Sequence, residues 1–417
     1  MSLAHRWVVL GVCTLAFMQT HIHRVGFAPL IPIFIAELGI TYTAAGTIMT
    51  AYFWTYTAVQ VPVGLMTDRL GARRVMLAFM AVLLLGIGVF ALSGSYAQGL
   101  VGRCLVGLGA AAVWLPGLRL MNEWFPPRER GRVTGIFSSG GGIGATAALL
   151  GIPLLADRFG WRWGYALTLL PALVALVAIF LVIRPGPLGA TAGHPRRAPD
   201  GSVVGPAGRS GALGALVTVL RMPALWTFNL AVLLSYGAYL SLVTWLPAFL
   251  VRSEGLSRST AGLVTALMTS GTIISWPAAG LISDRLGRRK AVWLFSQGMS
   301  VPVCLAFALV VPGSGVGGAI TVAVLTGLVL GGMVTPFVMV TELFPSELVG
   351  TASGVVNTFT FVGALVVPVL LGMVLDASGS FPAAFLACAA VQALGFLAAC
   401  FTRETGLAGR AEVRKAP

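Results

Sequence analysis

The chain is dominated by apolar runs long enough to cross a lipid bilayer, and this feature constrains its fold more than any other. A helix needs ~20 apolar residues to span a hydrocarbon core of roughly 30 Å. Twelve such runs, separated by turn residues, lie at 7–36, 43–67, 75–95, 98–124, 132–157, 162–183, 223–251, 259–283, 290–311, 315–342, 350–375 and 381–401. Only 10% of the residues are charged, and the mean hydropathy is +0.92. The sequence therefore predicts an all-α polytopic membrane protein with twelve transmembrane crossings.

One long polar segment divides the twelve crossings into six and six. Residues 184–222 are rich in proline and glycine, a composition that favours a flexible linker over a packed core. The sequence predicts four parts, which are an N-terminal six-helix bundle at 1–183, a cytoplasmic linker at 184–222, a C-terminal six-helix bundle at 223–402 and a cytoplasmic tail at 403–417.

The formal net charge of +14 predicts orientation here rather than nucleic-acid binding. Positively charged loops are retained on the cytoplasmic side of a membrane. Twenty of the 27 lysines and arginines fall in the termini and alternate loops, and the opposite loops hold only Arg158, Arg162, Arg252 and Arg258. We expect both termini to be cytoplasmic, in a bacterial-type inner membrane. The five scattered cysteines indicate packing, and neither a metal nor a cofactor is expected.

The two halves repeat each other. Gly64-Leu-Met-Thr-Asp-Arg-Leu-Gly-Ala-Arg-Arg74 after the second crossing returns as Gly280-Leu-Ile-Ser-Asp-Arg-Leu-Gly-Arg-Arg-Lys290 after the eighth. Glu123-Trp-Phe-Pro126 after the fourth returns as Glu342-Leu-Phe-Pro345 after the tenth. Two independent motifs at nearly one offset predict the duplication of a six-helix unit.

These motifs resemble the major facilitator superfamily, whose signature loop is G-x-x-x-D-R-x-G-R-[RK]-[RK]. Ala72 departs from that pattern in the first copy, and Gly102-Arg103-x-x-x-Gly107-x-Gly109 is similar to the family's fourth-helix motif. The resemblance implies two six-helix bundles around a central cavity. They would rock between inward-open and outward-open states.

Further segments resemble the anion:cation symporter branch, which includes hexuronate and galactonate carriers. They are Ala51-Tyr-Phe-Trp-Thr-Tyr56 with Gln60-Val-Pro62, Arg119-Leu-Met-Asn-Glu-Trp-Phe-Pro126, Phe159-Gly-Trp-Arg-Trp163 and Thr244-Trp-Leu-Pro247. The chain departs from the branch just before Arg24. An aspartate is common there, and this sequence has His21-Ile-His23.

Arg24 lies near the middle of the first crossing and is the main candidate for binding a substrate anion. An arginine at that depth costs at least ~2.5 kcal/mol on insertion scales, so it should face a wet cavity or a partner. No carboxylate lies at mid-membrane depth in crossings one to six. A guanidinium can hold a carboxylate bidentately. A structural ion pair is the alternative interpretation.

Other candidate residues extend this site. Arg119 is a possible second substrate contact, although Glu123 lies four residues away on the same helix face and predicts a local ion pair or gate instead. Arg103 occupies a position that the resemblance links to coupling, but it could also snorkel to the surface. The remaining candidates for cavity contacts are Tyr56, Tyr236, Tyr239, Asn357 and Thr358.

The repeated loops predict ion pairs that close the cytoplasmic side. Asp68 and Asp284 each begin a tight turn, where they can cap the next helix or meet Arg73 or Arg289 respectively. The repeat places Glu123 and Glu342 in the same clusters. These residues are expected to act as gates rather than as substrate contacts.

The favoured function is transport of a small organic anion, a sugar acid or other carboxylate, by alternating access and proton-coupled symport. His21 is the preferred coupling residue, because it is three residues from Arg24 and imidazole changes charge near neutrality. Glu123 and Arg103 are the other coupling candidates. The alternatives are efflux of a larger amphipathic compound, and anion exchange or uniport without protons. No enzymatic motif is present, and we expect a functional monomer.

Overall fold

The computed structural model describes residues 3–126, 129–184, 186, 196–197, 203–204, 209–345 and 348–406. The chain forms two compact units. Unit 1 comprises Met1–Val203 and Ser257–Ala266, and unit 2 comprises Val204–Leu256 and Leu267–Pro417.

The N-terminal part of the chain is helical. Its helices are α1 (Leu3–Val25), a 3₁₀ turn (Ala28–Leu30), α2 (Ile31–Leu38), α3 (Tyr42–Ala58), α4 (Gln60–Leu70), α5 (Ala72–Ala91), α6 (Tyr96–Ala110), α7 (Trp114–Trp124), α8 (Arg130–Phe159), α9 (Trp161–Ala166) and α10 (Leu169–Val182). Two paired strands of two residues each follow, β1 (Arg196–Arg197) and β2 (Val203–Val204).

The C-terminal part is helical as well. Its helices are α11 (Arg209–Leu220), α12 (Pro223–Arg252), α13 (Arg258–Leu286), α14 (Arg289–Leu309), α15 (Gly315–Val329), a 3₁₀ turn (Leu330–Val334), α16 (Thr335–Leu343), α17 (Val349–Ser378) and α18 (Phe381–Cys400). The first residues of α13 belong to unit 1.

Helix occupies all twelve predicted crossings, and the prediction of an all-α polytopic membrane protein is confirmed. Ten of the helices formed by the described residues are long and apolar enough to cross a membrane. The second predicted crossing is divided at Val59 into α3 and α4, of 17 and 11 residues. The eighth corresponds to α13, which is long enough to cross a membrane. Its serine, threonine and glycine residues lower its mean hydropathy.

The predicted linker differs from the structure at its C-terminal end. Residues 209–220 form α11, whose alanines, leucines and valines have enough helical and apolar character to support a helix. Val219 is fully buried against Leu225 and Phe228 of α12. Most of 185–208 lies outside the described residues, as does the tail beyond residue 406.

Glycines allow the helices of each unit to pack at close range. A Cβ atom at Gly140 or Gly144 of α8 would collide with the carbonyl oxygen of Thr14 or Met18 of α1. In unit 2, a Cβ at Gly363 of α17 would collide with the carbonyl oxygen of Leu233 of α12. Small residues permit such contacts between membrane helices. The Gly140–Gly144 run of α8 is therefore a packing element.

We predict that Gly144→Ala destabilises the protein by about 1–3 kcal/mol, because the added methyl group must displace the α1 backbone. Gly151→Ala is the matched control, since it lies on the same helix with nothing within 4 Å of its Cβ position. Thermal unfolding of both variants in one detergent measures the difference. Equal melting temperatures would contradict the packing role of Gly144.

Candidate functional site

His21 and Arg24 form one polar pair on α1. Their spacing of three residues places them on the same helix face, as predicted. Arg24 Nη1 lies 3.2 Å from His21 Nε2. The other ring nitrogen, His21 Nδ1, lies 3.1 Å from Thr20 Oγ1 and 3.4 Å from the Phe17 carbonyl oxygen. Only 9% of Arg24 is exposed.

Three aromatic rings of α3 surround the Arg24 guanidinium. Its central carbon lies 5.7 Å from the ring centroid of Tyr52, 5.8 Å from that of Phe53 and 5.2 Å from that of Tyr56. The Tyr52 hydroxyl donates to the Thr20 carbonyl oxygen at 3.2 Å, which attaches α3 to α1. Aromatic faces attract a guanidinium by cation–π interaction. These three rings hold the Arg24 guanidinium in place against α3.

Gly141 of α8 makes room for the His21 imidazole. A Cβ atom at this position would lie 3.0 Å from both Cε1 and Nε2 of the ring. The sequence analysis did not identify Gly141 as part of the site. The missing signal was the pairing of α1 with α8, which local sequence patterns do not contain.

His23 lies on another face of α1 and belongs to a separate buried cluster. Its Nδ1 atom lies 3.2 Å from the Tyr165 hydroxyl of α9, and the residue has no exposed surface. His21, a candidate for both substrate binding and coupling, and the neighbouring His23 therefore occupy different environments on the same helix.

Arg103 of α6 is fully buried, so the snorkelling alternative is wrong. Its guanidinium donates to the carbonyl oxygens of Ile48 at 3.3 Å, Met49 at 3.1 Å and Arg24 at 3.4 Å, and also to that of His23. These acceptors belong to α3 and to the C-terminal end of α1. Arg103 thus connects three helices beside the His21–Arg24 pair, and its coupling role stays a prediction.

Arg119 of α7 forms an ion-pair cluster rather than standing alone. Its Nε atom lies 2.9 Å from Glu123 Oε1, and its Nη1 atom lies 2.9 Å from Asp68 Oδ1. Nη1 also donates to the Thr67 carbonyl oxygen at 2.8 Å. The contact with Glu123 is the local ion pair that the alternative interpretation of Arg119 predicted. The contacts with Asp68 and Thr67 join α7 to α4.

A matching cluster in unit 2 uses a cation from a different helix. Arg289, the first residue of α14, pairs with Asp284 and lies 3.3 Å from Glu342 Oε1. Its counterpart in the first repeat, Arg73, donates instead to the Phe180 carbonyl oxygen at 2.5 Å. The structure therefore places Asp68 against Arg119 rather than Arg73, whereas the predicted contact between Asp284 and Arg289 is present.

The aromatic candidates of unit 2 line a cavity of about 70 Å³. Tyr236 and Tyr239 of α12 form part of its wall, and their ring centroids are 5.8 Å apart. Asn357 and Thr358 are exposed on α17, and the Thr358 hydroxyl donates to the Gly354 carbonyl oxygen at 2.9 Å. Thr360, which the sequence analysis did not single out, lines a smaller adjoining cavity instead.

Membrane-spanning helices in two units, each with a copy of the same ion-pair motif, define a multi-pass membrane protein that arose by duplication. The sequence model of the Major Facilitator Superfamily matches residues 9–257 and 250–416. The chain therefore belongs to this family of transporters.

Curated relatives are similar over most of the chain. The nitrite extrusion protein of Bacillus subtilis is 26% identical over 81% of this chain and 80% of its own length. The hexuronate transporter of Bacillus subtilis is 25% identical over 89% and 88%, and the probable L-galactonate transporter of Escherichia coli is 26% identical over 88% and 82%. These names agree with the anion:cation symporter branch.

Among solved structures, a bacterial homologue of the human lysosomal transporter Spinster has the same fold. The TM-score is 0.82 at 17% sequence identity, and the match covers 96% of this chain and 98% of that one. At this identity the likeness establishes the fold alone.

We predict that Arg289→Ala lowers the free energy of unfolding by about 1–3 kcal/mol, because it leaves the largely buried Glu342 carboxylate without its cation. Arg73→Ala is the matched control at the equivalent repeat position and should cost less than about 1 kcal/mol. Thermal or chemical unfolding in detergent compares the two. If Arg73→Ala lowers the free energy of unfolding as much as Arg289→Ala does, the two arginines have equal structural roles and the prediction is wrong.

Proposed function

We propose that the protein is a secondary active transporter of a small organic anion. It would act as a monomer in a bacterial-type inner membrane, with both termini cytoplasmic, by proton-coupled symport. No enzymatic reaction is part of this proposal. Relatives named for hexuronate and L-galactonate transport support an organic anion as the substrate class.

The observation that carries the proposal is the environment of Arg24. A guanidinium within a membrane span is costly unless it serves a cavity or a partner. Arg24 lies against the His21 imidazole and three aromatic rings, and these neighbours orient its guanidinium within the span. A bidentate carboxylate matches both the charge and the planar shape of this group.

An inorganic anion is the second candidate substrate. It is supported by the relative named as a nitrite extrusion protein. Nitrate is planar like a carboxylate and could meet the same guanidinium, so the geometry at Arg24 supports both classes. A binding comparison between nitrate and organic carboxylates separates them.

The contact between His21 and Arg24 suggests how a proton and an anion would bind together. A guanidinium can only donate hydrogen bonds, so the 3.2 Å contact requires an unprotonated Nε2 atom on His21. A proton on Nε2 would place two donors against each other and break this contact. A carboxylate could then accept from both residues, so each ligand would favour binding of the other.

We expect Arg24→Ala to weaken anion binding by roughly 30- to several-thousand-fold, the loss typical of removing one partner from a desolvated charge pair. Arg24→Lys should restore binding only in part, because an ammonium lacks the planar fork of a guanidinium. Equilibrium binding to purified protein measures both variants. Wild-type anion affinity in Arg24→Ala would show that α1 does not hold the anion site.

We expect His21→Gln to abolish accumulation driven by a pH gradient while retaining substrate counterflow in proteoliposomes. Glutamine can still hydrogen-bond but cannot carry the coupled proton. Glu123→Gln is the comparison, because Glu123 already pairs with Arg119 and is the competing coupling candidate. Intact gradient-driven accumulation in His21→Gln would exclude this residue as the proton carrier.

A further inference from the structure

Two neighbouring helices of unit 2 leave apolar side chains exposed along one side. On α14, the exposed residues Ala291, Phe295 and Met299 recur every four residues and share one face of the helix. Phe295 is 67% exposed. The helix α18 packs against α14 and exposes Leu397 near its C-terminal end, with exposed Phe401 directly after it. Exposed apolar surface of this kind is suited to contact with lipid acyl chains.

An exposed arginine stands at the end of the α14 face. Arg288 directly precedes α14, three residues before Ala291, so it continues the same side of the helix. Its side chain is exposed and makes no hydrogen bond or ion pair within the part of the chain that the structure describes. At the motif offset of 216, the equivalent position of unit 1 is Ala72. The apolar face therefore ends on a cation at a position where the first copy of the motif has none.

The segment after α18 brings a second arginine to this place. Lys290 Nζ donates to the Thr402 carbonyl oxygen at 2.7 Å. The Glu404 carboxylate accepts from the backbone N–H groups of Lys290 at 2.9 Å and Ala291 at 3.3 Å. Arg403 lies between these two anchored residues, and it is exposed and unpaired among the described residues. The beginning of α14 therefore holds the backbone that carries Arg403.

The carboxylates beside these two arginines already have other partners. Asp284 and Glu342 pair with Arg289, the first residue of α14. Glu404 accepts from backbone N–H groups of α14. Arg285, near the end of α13, adds a further exposed cation to the same loop. This end of the apolar face therefore carries an excess of positive charge.

We propose that Arg288 and Arg403 bind the phosphate group of an anionic phospholipid whose acyl chains lie along the exposed face of α14 and α18. A guanidinium can hold two phosphate oxygens by parallel hydrogen bonds. Each arginine near a membrane surface strengthens the attraction of an anionic headgroup by about fivefold. In the proposed orientation this end of unit 2 is cytoplasmic, so the lipid belongs to the inner leaflet. The site makes no use of Arg24 or of a transported substrate.

The apolar face favours a phospholipid over a free phosphate ion. A free ion would gain only the contacts with exposed arginines, which are weak in water. A phospholipid gains the same contacts while its chains stay against Phe295 and Phe401, and the bilayer holds its headgroup at the depth of the arginines. The second contact is then intramolecular, which raises the effective concentration of the phosphate group.

The first test ranks lipids on delipidated full-length protein by native mass spectrometry. Dioleoylphosphatidylglycerol and dioleoylphosphatidylcholine have the same chains and a phosphate group, but only the second carries a quaternary ammonium that two arginines would repel. Wild-type protein should bind the phosphatidylglycerol at least about fivefold tighter. Equal affinities would overturn the proposal, and so would displacement of the lipid by millimolar inorganic phosphate, which would indicate a site for free anions.

The second test removes one cation at a time. Arg288→Ala introduces the residue that unit 1 has at this position, and it should weaken phosphatidylglycerol binding about fivefold while changing phosphatidylcholine binding less than about twofold. Arg69→Ala is the matched control, because Arg69 is an exposed arginine of the first motif copy, beside Ala72. Unchanged phosphatidylglycerol affinity in Arg288→Ala, or an equal loss in Arg69→Ala, would overturn the proposal.

A measurement on the wild-type protein locates the lipid without any variant. Hydrogen exchange in nanodiscs should be slower at 286–292 and 402–406 with phosphatidylglycerol than with phosphatidylcholine, because a bound headgroup opposes local opening of these segments. Equal exchange at both segments would place the lipid elsewhere and overturn the proposal, even if Arg288→Ala failed to fold.

Discussion

The candidate site depends on one constraint. Backbone carbonyl groups must find hydrogen-bond donors where a helix breaks inside the membrane. The helix α1 ends at Val25, and a 3₁₀ turn begins at Ala28 before α2 continues the crossing. Unsatisfied carbonyls at such a break are costly in a bilayer. Arg103 donates to the carbonyl oxygens of His23 and Arg24 at this point. One buried arginine therefore stabilises the backbone that carries the other.

The glycines of α8 contact α1 at the same site. Gly140 and Gly144 allow the two backbones to approach, and Gly141, between them, leaves space for the His21 ring. The distance between α1 and α8 and the position of the imidazole are therefore coupled. Helix packing and the geometry of the polar pair cannot be varied separately.

Duplication has preserved the helical framework and altered the chemistry placed on it. Pro32-Ile-Phe34 returns as Pro247-Ala-Phe249 at an offset of 215, which aligns Arg24 with Tyr239 of unit 2. The repeated loop motif, at an offset of 216, aligns Gln60 with Trp276. The ion-pair clusters changed in another way, since each keeps two carboxylates and a guanidinium while the guanidinium comes from α7 in unit 1 and from α14 in unit 2. Unit 1 holds the deep charges, and unit 2 holds a neutral aromatic cavity.

The sequence by itself determined the helical crossings, the duplication, the family and the shared face of His21 and Arg24. Each of these depends on composition, on a repeated motif or on the local period of one helix. Only the tertiary structure decided that Arg103 is buried against four carbonyl groups, that Arg119 replaces Arg73 beside Asp68, and that Gly141 leaves room for the His21 ring. These contacts join residues on different helices, and no local period relates two helices that meet only after the unit has folded.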